Sequence, residues 1–210
     1  MKLYLFPLSP RARKTMAVAH HLGLSYEMVA LDGRKGDHKK PEYLKLNPNG
    51  RMPTLVDGDF VLWESNAIIQ YLAGKKPGVL MPLDERGRAD VARWLCWDLA
   101  HWDSANAILL FENLVKSLLG GGGPDPAQVK LGEEKFHSAA AVLDGHLAGR
   151  EWVQGDRLSL ADFALAAPLH YAETCRIPVA PYANIRKWYG RVEQLDAWKK
   201  SAPPPLPLNA

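Results

Sequence analysis

The chain has 210 residues, 47% hydrophobic and 23% charged, a composition that suits a soluble globular protein of one or two domains. A formal net charge of +3 is too small to imply nucleic acid or a membrane surface as partner, and no apolar run approaches the ~18 residues that span a bilayer. The isolated cysteines Cys96 and Cys175 read as reduced thiols, and the short apolar start, broken by Pro7 and followed by Arg11, Arg13 and Lys14, does not read as a signal peptide. The expectation is a cytoplasmic protein.

In chain order, Leu3-Tyr4-Leu5-Phe6 reads as a strand ended by Pro7. Ser9-Pro10 opens a helix to His21, with Ser9 as N-cap and Pro10 at the first helical position, and Gly23 closes it. Residues 26–31 form a second strand, and a short helix over 41–46 precedes Asn47-Pro48. Two apolar runs around Asp57-Gly58-Asp59 predict a hairpin over 54–62, and a helix follows over 65–72. The order is βαβαββα. Residues 77–84 read as a linker, and everything beyond it is helical: one long helix over 85–119, another from Asp125-Pro126 to Leu147, then segments near 160–172 and 183–194. Ser159 and Asp162 form a capping box at the third of these. The predicted architecture is a small α/β domain over 1–76 and an all-helical domain over 85–210, with an extended, mobile tail at Pro203-Pro204-Pro205.

Two motifs carry the chemistry. Asn47-Pro48-Asn49-Gly50-Arg51-Met52-Pro53-Thr54-Leu55 places a proline directly before an apolar strand, where it removes a ladder donor. A rigid turn, with a cis bond expected between Met52 and Pro53, would aim the Met52 backbone outward. Glu64-Ser65 then sets a carboxylate and a hydroxyl at a helix start, where free N–H groups favour an anion. An exposed backbone edge beside an anion-holding helix start suits a small peptide with a free carboxylate.

In these motifs, in Asp37-His38-Lys39 and in the Ser159–Asp162 capping box, nearly the whole chain resembles the cytosolic glutathione transferases. Among them it looks most like the serine-type and bacterial members, the latter also through Trp94, Trp102 and Phe111-Glu112. The resemblance implies a thioredoxin-like N-terminal domain, a helical-bundle C-terminal domain and a homodimer. It also implies glutathione as co-substrate, with its thiolate attacking a small hydrophobic electrophile. Isomerase, dehalogenase, lyase or peroxidase chemistry on the same scaffold, or a non-catalytic binding module, are the alternatives.

On that reading Ser65 would hold the γ-glutamyl carboxylate and Glu64 its ammonium. The Met52 backbone would pair with the cysteinyl amide, Pro53 would fix the turn, and His38, Lys39 and Arg51 would lie near the glycyl carboxylate. A thiol with a pKa near ~8.5 is mostly protonated at neutral pH, so catalysis needs a donor to the thiolate. Ser9 at the first helix start is the candidate. Tyr4 is its rival, although strand alternation turns it away from the Leu5 face. Arg11 and Arg13 read as surface charges. No histidine or cysteine cluster has metal-ligand spacing, and the aromatics of the long helix divide between core, dimer interface and an electrophile pocket.

Overall fold

A computed structural model describes residues 1–206. By packing, the chain divides into two units: Met1–Met81 joined by the segment from Leu195, and Pro82–Gln194.

The first unit is built on a four-stranded sheet of β1 (Lys2–Leu5), β2 (Glu27–Ala30), β3 (Thr54–Asp57) and β4 (Phe60–Trp63), in the order β2-β1-β3-β4. The helix α1 (Pro10–His21) is the crossover that lets β1 and β2 run parallel, with Leu5 opposite Ala30. The β3–β4 hairpin is antiparallel, and β3 runs antiparallel to β1, so Tyr4 faces Thr54 and Thr54 faces Trp63. These registers bring the ends of β1, β2 and β4 and the beginning of β3 to one edge of the sheet. Leu3, Leu5 and Leu55 are fully buried. The hairpin turns on Gly58, whose φ of 63° is a conformation that glycine adopts without strain.

The helix α1 is buried along Ala12–Ala19, including Arg13 and Lys14. This corrects the reading of Arg13 as a surface charge: it is 4% exposed. Its guanidinium lies 4.0 Å over the Trp198 ring and donates to the Trp198 carbonyl at 3.3 Å. Trp198 belongs to α10 (Asp196–Lys200), a helix absent from the sequence expectation. The segment from Leu195, which the sequence reading counts with the helical domain, thus packs on α1. Two further helices complete the unit, α2 (Pro41–Leu44) and α3 (Ser65–Gly74).

In the second unit, the expected long helix is continuous but not uniform. α4 (Glu85–Trp97), α5 (Asp103–Leu110) and α6 (Lys116–Leu118) are joined by π-helical turns at Asp98–Trp102 and Phe111–Val115. Each wide turn rotates the residues after it relative to a regular α-helix. Trp94 and Trp102 face the core, and the Trp102 indole donates to the Leu165 carbonyl at 2.8 Å. Phe111 is 45% exposed. α7 (Pro126–Leu147) begins as expected on Asp125, whose carboxylate accepts from the Ala127 N–H at 2.8 Å. The capping box opens α8 (Leu160–Ala166), which gives way at Pro168 to a 3-10 turn ending at Tyr171. Fully buried Asp162 accepts from the Val153 and Ser159 N–H groups, the Ser159 hydroxyl and the Trp188 indole of α9 (Ala183–Gln194), at 2.8–3.0 Å. Burial pushes its carboxyl above the usual range, against these four donors.

Candidate functional site

Every candidate side chain lies on a segment that enters or leaves the shared sheet edge. Ser9 follows β1, His38 and Lys39 lie between β2 and α2, Arg51, Met52 and Pro53 lead into β3, and Glu64 and Ser65 follow β4. The strand registers thus bring the flanking segments, spread over more than fifty positions of sequence, to one end of the sheet.

Ser9 is the N-cap of α1, with extended backbone and Pro10 next to it, yet its hydroxyl makes no capping hydrogen bond. Its N–H donates to the Phe6 carbonyl at 2.9 Å and its carbonyl accepts from Arg13 at 3.0 Å. The main chain therefore holds the helix start, which leaves the hydroxyl available at a helix N-terminus. The rival Tyr4 lies beside another ring, 6.1 Å from Tyr43 between centroids.

The Met52–Pro53 bond is cis, as expected. Pro53 is buried and Met52 half-buried, and among the described residues the Met52 backbone has no hydrogen-bond partner. The preceding loop is braced from inside. Tyr43 Oη and Asn47 Nδ2 both donate to the Arg51 carbonyl, at 2.5 and 2.8 Å, and both lie within hydrogen-bond reach of the Thr54 hydroxyl, at 2.8 and 3.1 Å. Gly50, at φ 56°, sits so close to its neighbours that a Cβ would lie 3.0 Å from both the His38 carbonyl and Lys39 Nζ. The His38–Lys39 turn therefore packs on this loop. His38 is half-buried, and its Nδ1 is buried with no partner among the described residues, while Lys39 and Arg51 are exposed.

Glu64 caps α3 at φ 72° and ψ 115°, a region that a residue with a Cβ enters only under strain, of order 1–3 kcal/mol. Its carboxylate makes no capping bond and is exposed. Ser65, 3% exposed, is the first residue of α3. An acid and a buried hydroxyl at a helix start have the chemistry that a group carrying both an ammonium and a carboxylate requires. The spacing of residues announces neither the strain at Glu64 nor the bracing by Tyr43. An aromatic four residues before Asn-Pro was the available signal for the second.

Residues 1–74 match the family model described as glutathione S-transferase, N-terminal domain, and residues 126–191 the C-terminal domain model of the same family. Glutathione S-transferase 3 of Zea mays is 36% identical over 214 residues, covering 99% of this chain and 96% of the relative. This chain belongs to the glutathione S-transferase family. Glutathione S-transferase D7 of Drosophila melanogaster is 33% identical over 193 residues, covering 90% of this transferase and 82% of its own length. A solved glutathione S-transferase-I, bound with lactoylglutathione, superposes with a TM-score of 0.85 at 29% identity, over 96% of this chain and 97% of that one. These relatives are plant and insect proteins, so the expected likeness to serine-type and bacterial members is not supported.

The helical-domain aromatics of this transferase separate by burial. Trp94 and Trp102 are core, whereas Trp97 and His101 line an open cleft of about 320 Å³ with Lys135 and Val142.

Proposed function

We propose that this transferase holds glutathione along the shared sheet edge, with Ser9 as the donor that stabilises its thiolate. The observation that carries the reading is the Ser9 hydroxyl, left unused by the helix it begins. The roles follow from chemistry. The start of α3, with Ser65 and Glu64, would take the γ-glutamyl carboxylate and ammonium. The Met52 backbone, in the turn fixed by Pro53, would pair with the cysteinyl amide, and His38, Lys39 and Arg51 would surround the glycyl carboxylate. The reaction is attack by the bound thiolate on a small hydrophobic electrophile, in a cytoplasmic homodimer as is usual in the family. The serine-type assignment rests on Ser9 and not on kinship with bacterial members.

A bound thiol lowered by two units from ~8.5 is about three-quarters ionised at pH 7, against ~3% without the shift, a ratio of about 25. Ser9→Ala is therefore expected to lose about 25-fold in kcat with an aryl halide at pH 7 and to recover most of it near pH 9. Equal rates at pH 7, or a loss that persists at pH 9, would assign thiol activation to another group. Ser65→Ala and Glu64→Ala should weaken glutathione in calorimetry, and unchanged affinity in both would remove the binding site from this helix start.

A further inference from the structure

The bonds around the Arg51 carbonyl form a closed circuit in which every proton has one destination. Tyr43 has a single hydroxyl proton, and its 2.5 Å contact with the Arg51 oxygen takes it. The Thr54 hydroxyl, 2.8 Å from Tyr43 Oη, must then donate to that oxygen. Asn47 supplies both amide protons, one to the Arg51 carbonyl at 2.8 Å and one to Thr54 Oγ1 at 3.1 Å. Asn47 Oδ1 accepts from the Asn49 N–H and Nδ2, both at 3.1 Å, which fixes the orientation of the amide. Tyr43, Asn47 and Thr54 are 3%, 2% and 0% exposed, so water does not compete for these bonds. Burial pushes the Tyr43 phenol up, which keeps its proton in place at neutral pH.

The Arg51–Met52 peptide is trans, and in a trans peptide the C=O and the following N–H point in opposite directions. A carbonyl clamped inward by two donors therefore turns the Met52 N–H outward, away from the circuit. We infer that Tyr43 is a positioning residue for the co-substrate, its hydroxyl fixing the peptide plane that presents the Met52 N–H to the cysteinyl carbonyl of glutathione. The inference rests on the glutathione site proposed above. Tyr43 touches no reacting atom and acts only through Arg51.

The test compares wild type with Tyr43→Phe, which keeps the ring and removes the hydroxyl, and with Thr54→Val, which opens the circuit at its other hydroxyl. Two probes are titrated by calorimetry: glutathione, and an analogue whose cysteinyl–glycine amide is a trans-alkene, which has no carbonyl to accept from Met52. Each variant is expected to bind glutathione about five- to tenfold more weakly, the net worth of one well-placed hydrogen bond. The alkene analogue should bind all three proteins alike, because the lost contact is the one it lacks. In kinetics the effect should fall on KM for glutathione and not on kcat, with the pH dependence of kcat as in wild type. Unaltered glutathione affinity in both variants, or equal weakening of both probes, would overturn the inference and leave Tyr43 as a packing residue. Failure of the wild-type protein to bind glutathione would instead overturn the proposed site, and this inference with it.

Discussion

Burial pushes the Cys175 thiol up to about 12, while Cys96 stands exposed on α4, so two residues of one type differ completely in availability. A thiol-specific disulfide reagent is expected to modify one cysteine per native chain, Cys96, and to reach the second only in denaturant. Two equivalents consumed under native conditions would show that Cys175 is not enclosed as described. The same scale marks what was legible in the sequence. Glu64 and Ser65 stand out because their chemistry matches a zwitterion, but the positive φ of Glu64 is set by how β4 must turn into α3, which no residue type declares. Arg13 misleads for a related reason. Its charge suggests solvent, and only a tryptophan 185 positions away supplies the π-face and carbonyl that make burial tolerable.

At the level of elements, local signals were reliable wherever one turn of chain decides the outcome. The helix start at Asp125-Pro126, the Ser159–Asp162 box and the start of α1 are read from adjacent residues and found in place. The π-helical turns and α10 were not legible, since they depend on what packs against them. Gly132 shows the limit of propensity within α7. Glycine in a helix interior is about 1 kcal/mol worse than alanine, so Gly132→Ala should stabilise an isolated helix. Here a Cβ would lie 2.9 Å from Leu109 Cδ2 and 3.1 Å from Ile108 Cγ2, and Leu109 is fully buried. Gly132→Ala is expected to lower stability by about 1–2 kcal/mol in denaturant melts, overpacking outweighing propensity. A gain in stability would mean that α5 yields to the new methyl.

For the whole molecule, pH offers the broadest test. Burial lowers the pKa of His20, aided by Lys200, and that of His21, from the ordinary 6.5. The unfolded chain then binds more protons than the folded one below that value, so the stability these histidines contribute is lost as pH falls through their folded pKa. Hydrogen bonds from Arg34, Lys40 and Lys75 hold Asp32, Asp37 and Asp57 below the carboxylate range, and the Asp125 N–H and Lys116 do the same for Glu112. Their contribution is complete above the unfolded carboxylate range near ~4 and disappears below it. Asp162, shifted upward, acts in the opposite sense. The melting temperature is expected to be highest near neutrality, to decline below pH ~6.5 and to fall more steeply below pH ~4. A melting temperature constant from pH 7 to 3 would contradict these shifts.

The return of the chain from Leu195 to α1 has a consequence for biosynthesis. Domains tend to fold as they leave the ribosome, N-terminal first. Here the first unit is topologically interrupted: the chain departs at Met81, builds the whole helical unit, and comes back with α10. During translation the β-sheet and α1 must therefore wait, with Arg13 uncovered, while more than a hundred further residues are made. The α/β unit is complete only once Trp198 has been made and can cover Arg13.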